Sequence, residues 1–175
     1  MALFHLRGGE GVGGPDAAGG SSRSRPPTKE DLKEICRRFR ELGVRYVLVG
    51  GLAVNFHGRP RMTHDIDFLV DPSPENIQKL KQALLVLPDK AAEDLRPDDL
   101  EKYGVVRVVD EVVVDLIARI GDVEIDNAGT VVFDLEGEPV VVADLDTLIK
   151  TKQGLREQDK GDLFFLLSKK RKELR

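Results

Sequence analysis

The sequence predicts an α/β (α+β) domain in which a mixed β-sheet is flanked by helices. Three observations predict it. Apolar residues recur at helical spacing in several segments. Short runs rich in Val, Leu and Ile lie between those segments. The order is helix, strand, helix, strand, helix, several strands, then two helices, with no internal repeat.

The elements follow in chain order. Residues 1–27 read as a disordered tail, because Gly8 to Pro27 is rich in Gly, Ser and Pro and poor in apolar residues. Gly11, Gly13 and Gly14 receive no phosphate-binding role, since no strand precedes them and no helix follows. The folded domain is expected over residues 28–175. Thr28 and Asp31 stand at capping-box spacing, with Leu32, Ile35, Phe39 and Leu42 on one helical face and Gly43 as the stop. Val44 to Val49 reads as a strand. Leu52 to Phe56 forms a short helix that closes near Gly58 and Pro60. Ile66 to Val70 is a second strand. Pro72, Ser73 and Pro74 open a helix carrying Ile77, Leu80 and Leu84. Residues 88–103 are loop, with at most a short helix near Asp98 to Tyr103. Strands are expected at Val105 to Val109, Val112 to Ala118 and Gly129 to Phe133, and a short edge strand at Val140 to Val142. One helix begins at Ala143 or Asp144, and the last begins near Asp159.

Composition narrows the function classes. At 175 residues the chain fits one domain with a substantial core, and the absence of Trp makes that core aliphatic. A net charge of -4 gives no overall basic field for gripping nucleic acid unselectively. Lys169-Lys170-Arg171-Lys172 is a local exception, but cations at a helix end suit the helix dipole. The single cysteine, Cys36, excludes an internal disulfide and a cysteine-based zinc site, and falls among apolar helix positions as a buried thiol. No apolar run approaches the ~20 residues that span a bilayer, and no secretory signal is apparent. A cytoplasmic location with no membrane partner is the expectation.

The chemistry concentrates at Asp65-Ile66-Asp67. Residues two apart on a strand face the same side of a sheet, so both carboxylates point at one spot. Their mutual repulsion is relieved by a hard divalent cation with a preference for oxygen ligands. Asp115 interrupts a run of Val112, Val113, Val114, Leu116 and Ile117. Buried there, it needs a partner or a metal; on an edge strand it faces water. If its strand neighbours that of Asp65, three carboxylates converge, an arrangement suited to two metals about 3.5–4 Å apart. Upstream, Val49-Gly50-Gly51-Leu52 is a strand, a glycine pair and a helix start, where backbone N–H groups can approach phosphate oxygens. Arg59, Arg61 and Thr63 lie between the glycines and the Asp pair, to bind a triphosphate or hold the loop. A glycine pair alone is usually a turn, and Asp-x-Asp alone a solvated cap. Their order and strand contexts are what tie them together. His64 would face away from Asp65 on a strand and reads as structural, as does His57 near the end of the short helix.

The residues Gly50-Gly51, Arg61-Met62-Thr63-His64-Asp65-Ile66-Asp67-Phe68 and Asp115 resemble the nucleotidyltransferase superfamily related to DNA polymerase beta. The Arg-x-Thr-x-Asp-x-Asp form is most similar to the bacterial branch that includes AbiEii-type toxins. Lys152 and Asp159-Lys160-Gly161-Asp162-Leu163 resemble that branch's C-terminal Lys and Asp-x-x-Asp-Leu segment. The resemblance spans most of residues 32–168. It implies that Asp65, Asp67 and Asp115 hold Mg²⁺, with Mn²⁺ as the alternative. It also implies that Asp115 helps activate the acceptor hydroxyl and that Gly50 and Gly51 hold the β- and γ-phosphates of a nucleoside triphosphate. Arg61, Thr63 and Lys152 are the further nucleotide-binding candidates. For Lys152 the competing reading is a solvated helix residue; for Asp159 and Asp162 it is capping and docking of the last helix.

Two functions are expected from this pattern. One is transfer of a nucleoside monophosphate from an NTP to a hydroxyl of RNA, such as tRNA, of a protein or of a small molecule, with release of pyrophosphate. The alternative is a catalytically idle NTP-binding or toxin–antitoxin partner module with the same fold. The chain lacks a large acceptor-binding domain, so an oligomer or an antitoxin partner would complete the site.

Overall fold

A computed structural model describes residues 3–7, 24–152 and 156–175. The start of the chain corrects the expected tail. Leu3–Arg7 is a strand, β1, paired in parallel with residues 105–109. Residues 24–27 also lie against the domain: the Ser24 hydroxyl donates to the Asp110 carbonyl at 2.7 Å, and Arg25 pairs with Asp31 and Glu111. Gly11, Gly13 and Gly14 lie outside the described residues.

The first helix, α1 (Lys29–Leu42), begins and ends at its sequence signals. The Asp31 amide donates to the Thr28 hydroxyl, and the Thr28 amide donates to the Asp31 carboxylate at 2.7 Å. Gly43 closes the helix at φ 66°, a left-handed conformation that glycine adopts without strain. Then follow β2 (Tyr46–Val49), α2 (Gly50–Phe56), β3 (Asp65–Val70) and α3 (Pro74–Leu84). Ser73 caps α3 by accepting from the Asn76 amide. A 3-10 turn (Ala91–Asp94) and the short α4 (Asp99–Tyr103) occupy the predicted loop.

The strands β4 (Val105–Val109), β5 (Val113–Ile117) and β8 (Thr130–Leu135) match the expected runs; β9 (Glu138–Ala143) is longer than expected and, paired with both β2 and β8, is an inner strand rather than the expected edge. Between them β6 (Arg119–Ile120) and β7 (Val123–Glu124) make a small separate ribbon that the sequence pattern does not announce. Asp144 caps α5 (Leu145–Thr151) through the Thr147 amide at 2.8 Å. The last helix, α6 (Glu157–Glu173), starts two residues before Asp159.

Seven strands form one mixed sheet in the order β1-β4-β5-β3-β2-β9-β8. Parallel pairs (β3 with β5, β2 with β9, β1 with β4) alternate with antiparallel ones. The register sets the site. Asp67 stands opposite Asp115 across the β3–β5 pair, and Arg107 stands opposite Asp115 across the β4–β5 pair.

One face of β3 is core. Phe68 packs edge-on against Phe39 of α1, ring centroids 4.9 Å apart, and against Tyr46 at 5.4 Å. Ile66 shares that side and is fully buried. Strand alternation therefore sends Asp65 and Asp67 to the other side of the sheet. Cys36 is buried as expected, and burial pushes its thiol up to about 12.

Candidate active site

The chain from β2 into α2 turns sharply at Gly50. Its φ is 67°, and a Cβ there would overlap the Asp67 carboxylate. Two constraints thus meet at one residue: a left-handed backbone, and a close approach between the turn and a functional carboxylate. At Gly51 a Cβ would meet Thr63 Cγ2 at 2.5 Å and Arg61 Nη2 at 2.8 Å. The glycine pair is therefore packed beneath the loop that leads to β3.

Asp65, Asp67 and Asp115 come together as the sequence predicts. Each offers a carboxylate oxygen within 4.8 Å of the others. Their electrostatics are unfavourable without a cation. Burial first, then the charges of Asp65 and Asp115, raise the Asp67 carboxyl to about 8. Burial and the Asp115 charge also raise Asp65, and the Arg107 guanidinium partly offsets them. The donor set fits a hard divalent ion: it is all oxygen, and three carboxylates converge on one spot.

Arg107 is a member of this cluster that the sequence reading missed. Its Nε donates to Asp115 Oδ1 at 2.8 Å and its Nη2 to Asp115 Oδ2 at 2.7 Å. Nη2 also reaches Asp65 Oδ2 at 3.1 Å. A signal was present: Arg107 interrupts Val105-Val106-Val108-Val109 as Asp115 interrupts its own valine run. Seeing that the two interruptions meet requires the strand register.

A second ionic cluster lies beside the first. Asp162, on α6, has no exposed side-chain surface. It accepts from Arg61 Nε at 3.1 Å and Nη2 at 2.9 Å, and pairs with Lys152 Nζ at 3.1 Å. Arg59 approaches it at 3.7 Å. Burial pushes the Asp162 carboxyl up, but the hydrogen bonds from Arg61 and Lys152 outweigh it and hold it below the ordinary range. Asp162 thus docks α6 without capping it; the helix's N-cap is Arg156. Lys152 is buried rather than solvated and also pairs with Asp159 at 3.4 Å. Arg61 turns its Nε and Nη2 to Asp162 rather than outward, and Asn55 fixes its backbone by accepting from its amide and donating to its carbonyl. Thr63 is buried against Gly51.

The remaining candidates fall outside the cluster. His64 is exposed in the bend just before β3, not on the strand. His57 is buried, and its Nε2 lies 2.8 Å from the Ala143 carbonyl. In the basic run, Lys169 donates to the His57 carbonyl at 2.6 Å and Lys170 pairs with Asp146. No helix among the described residues is long and apolar enough to cross a membrane.

A sheet with this strand order, a glycine turn and a carboxylate row belongs to the nucleotidyltransferase fold. Solved structures agree. An antigenic nucleotidyltransferase-like protein from Paracoccidioides brasiliensis matches at TM-score 0.54 and 16% identity, over 80% of this chain and 75% of its own. ANT(2")-Ia, solved in complex with adenylyl-2"-tobramycin, matches at TM-score 0.52 and 14% identity, over 80% of this chain and 87% of its own. The family follows from the sequence itself: residues 32–152 match the model of the Nucleotidyl transferase AbiEii toxin, Type IV TA system family, and the chain belongs to that family. It is a nucleotidyltransferase. No curated protein gives a sequence match.

Proposed function

We propose that the chain transfers a nucleoside monophosphate from an NTP to a hydroxyl acceptor and releases pyrophosphate. The observation that carries this reading is the register that sets Asp115 opposite Asp67, on the side of the sheet where Gly50 approaches the Asp67 carboxylate. The triphosphate lies along the Gly50-Gly51 turn, where missing side chains admit its oxygens to the backbone. The cations grouped on Asp162 give that side of the site a positive field. The acceptor oxygen attacks the α-phosphorus in line, the bond from that phosphorus to the bridging oxygen breaks, and pyrophosphate leaves with the electron pair. Asp115, once the Arg107 guanidinium has moved off it, takes the acceptor's proton on a carboxylate oxygen. A divalent cation held by Asp65 and Asp67, and by Asp115 once Arg107 has left it, Mg²⁺ with Mn²⁺ as the alternative, would supply positive charge against the charge that develops on the phosphate. RNA, a protein side chain and a small molecule are the acceptor classes to screen.

The test incubates each α-labelled NTP and MgCl₂ with the protein, in the presence and absence of total tRNA. Label should move to tRNA or to the protein itself, and Asp67→Ala should reduce it by about 10²–10³-fold or more. Labelling that survives Asp67→Ala unchanged would overturn the assignment of the site.

A further inference from the structure

We propose that Arg107 is a built-in cation that keeps the carboxylate row open to one divalent ion and closed to a second until its guanidinium leaves Asp115. The proposal rests on the reading of Asp65, Asp67 and Asp115 as a metal site.

The geometry divides the row in two. Both Asp115 oxygens and Asp65 Oδ2 are held by Arg107, at 2.8, 2.7 and 3.1 Å. The Asp67 carboxylate and the second Asp65 oxygen receive no hydrogen bond from it. One portion of the row is therefore committed to the guanidinium and the other is available. Charge points the same way. With all three carboxylates ionised, as binding of a divalent ion requires, they and one guanidinium leave two negative charges, which that one ion balances. A second ion would sit against a fixed positive charge while competing for the same oxygens. A two-ion site needs its carboxylates shared between ions about 3.5–4 Å apart, and Asp115 is not free to be shared.

Arg107 is also free to move. Its side chain is 32% exposed, against 9% for Lys152. It stands on β4, between Asp115 on one side and His5 of β1 on the other, so it can swing toward solvent without unpacking the core. Among the described residues, the hydrogen bonds of its guanidinium all go to Asp115 and Asp65. Displacing it breaks no link to the rest of the fold.

The experiment titrates the nucleotide-free protein with MnCl₂ and follows free Mn²⁺ by electron paramagnetic resonance. The native chain should bind one ion, Arg107→Gln should bind two, and Arg107→Lys, which keeps the charge, should remain at one. Circular dichroism checks folding; if Arg107→Gln does not fold, Arg107→Met carries the same test. An Arg107→Gln protein that stays at one ion with native affinity, or binds about tenfold more weakly, overturns the proposal. Failure of the underlying metal reading looks different: the native chain binds no Mn²⁺, or Asp67→Asn binds it unchanged. That result rejects the metal site and the Arg107 proposal with it.

Discussion

The two ionic clusters of this domain are neighbours with opposite imbalances. In the carboxylate row, three acids share one cation, Arg107. Around Asp162, one fully buried acid draws in Arg61, Lys152 and Arg59. The titration of each follows. Asp67 is raised to about 8 because burial and its acidic neighbours disfavour its charge. Asp162 is lowered although burial opposes it. A structural ion cluster is expected to satisfy itself. The hub does so, whereas the row is left short of positive charge, which is what a site completed by a ligand requires.

The largest expected effect on stability comes from the hub. Asp162→Ala should cost about 3–5 kcal/mol, because it strips Arg61 of its carboxylate partner and leaves the buried Lys152 only the longer contact to Asp159. Urea denaturation measures it. A loss below about 1 kcal/mol would mean that solvent reaches these cations and that the hub is not a structural centre.

The next effect is a difference in the sign of pH dependence. For Asp65 and Asp67 the folded value lies above the ordinary 3.8. The contribution of each is complete below that value and is lost as pH rises through its own folded value, about 8 for Asp67. For Asp162 the folded value is lowered, so its contribution is present above 3.8 and lost as pH falls. In EDTA, the native protein should therefore melt at lower temperature as pH is raised from 5 to 8. Asp67→Asn and added Mg²⁺ should each flatten that slope. A slope unchanged by Asp67→Asn would show that the row does not control it.

The smallest effect distinguishes partners within the hub. Arg59 lies at 3.7 Å and is one-third exposed, so Arg59→Ala should cost no more than about 1 kcal/mol. A loss as large as that of Asp162→Ala would make Arg59 an equal member of the cluster.

What the sequence reveals and what it hides divides along physical lines. Local chemistry is legible. Thr28, Asp31 and Gly43 mark the ends of α1, and Asp144 marks the start of α5, because caps act over three or four residues. The period-two rule places Asp65 and Asp67 on one face before any coordinate is known. Register is not local. That Asp115 lies opposite Asp67, and Arg107 opposite Asp115, depends on strand pairing that periodicity leaves open. The docking role of Asp162 is legible from its segment, but its partners Arg61 and Lys152 are not, because they come from distant parts of the chain. The strand Leu3–Arg7 is hidden because no turn joins it to its partner.

That strand has a consequence for the order in which the molecule assembles. Leu3 pairs with Val105 and Arg7 with Val109, so the first strand of the chain waits for about a hundred residues before its partner exists. Closing so long a loop is entropically costly and gains nothing until β4 is in place. β1 is thus expected to settle late, against the strand that carries Arg107. The β4–β5 pairing joins neighbouring segments and can form first, so β1 adds to an edge that already carries Arg107.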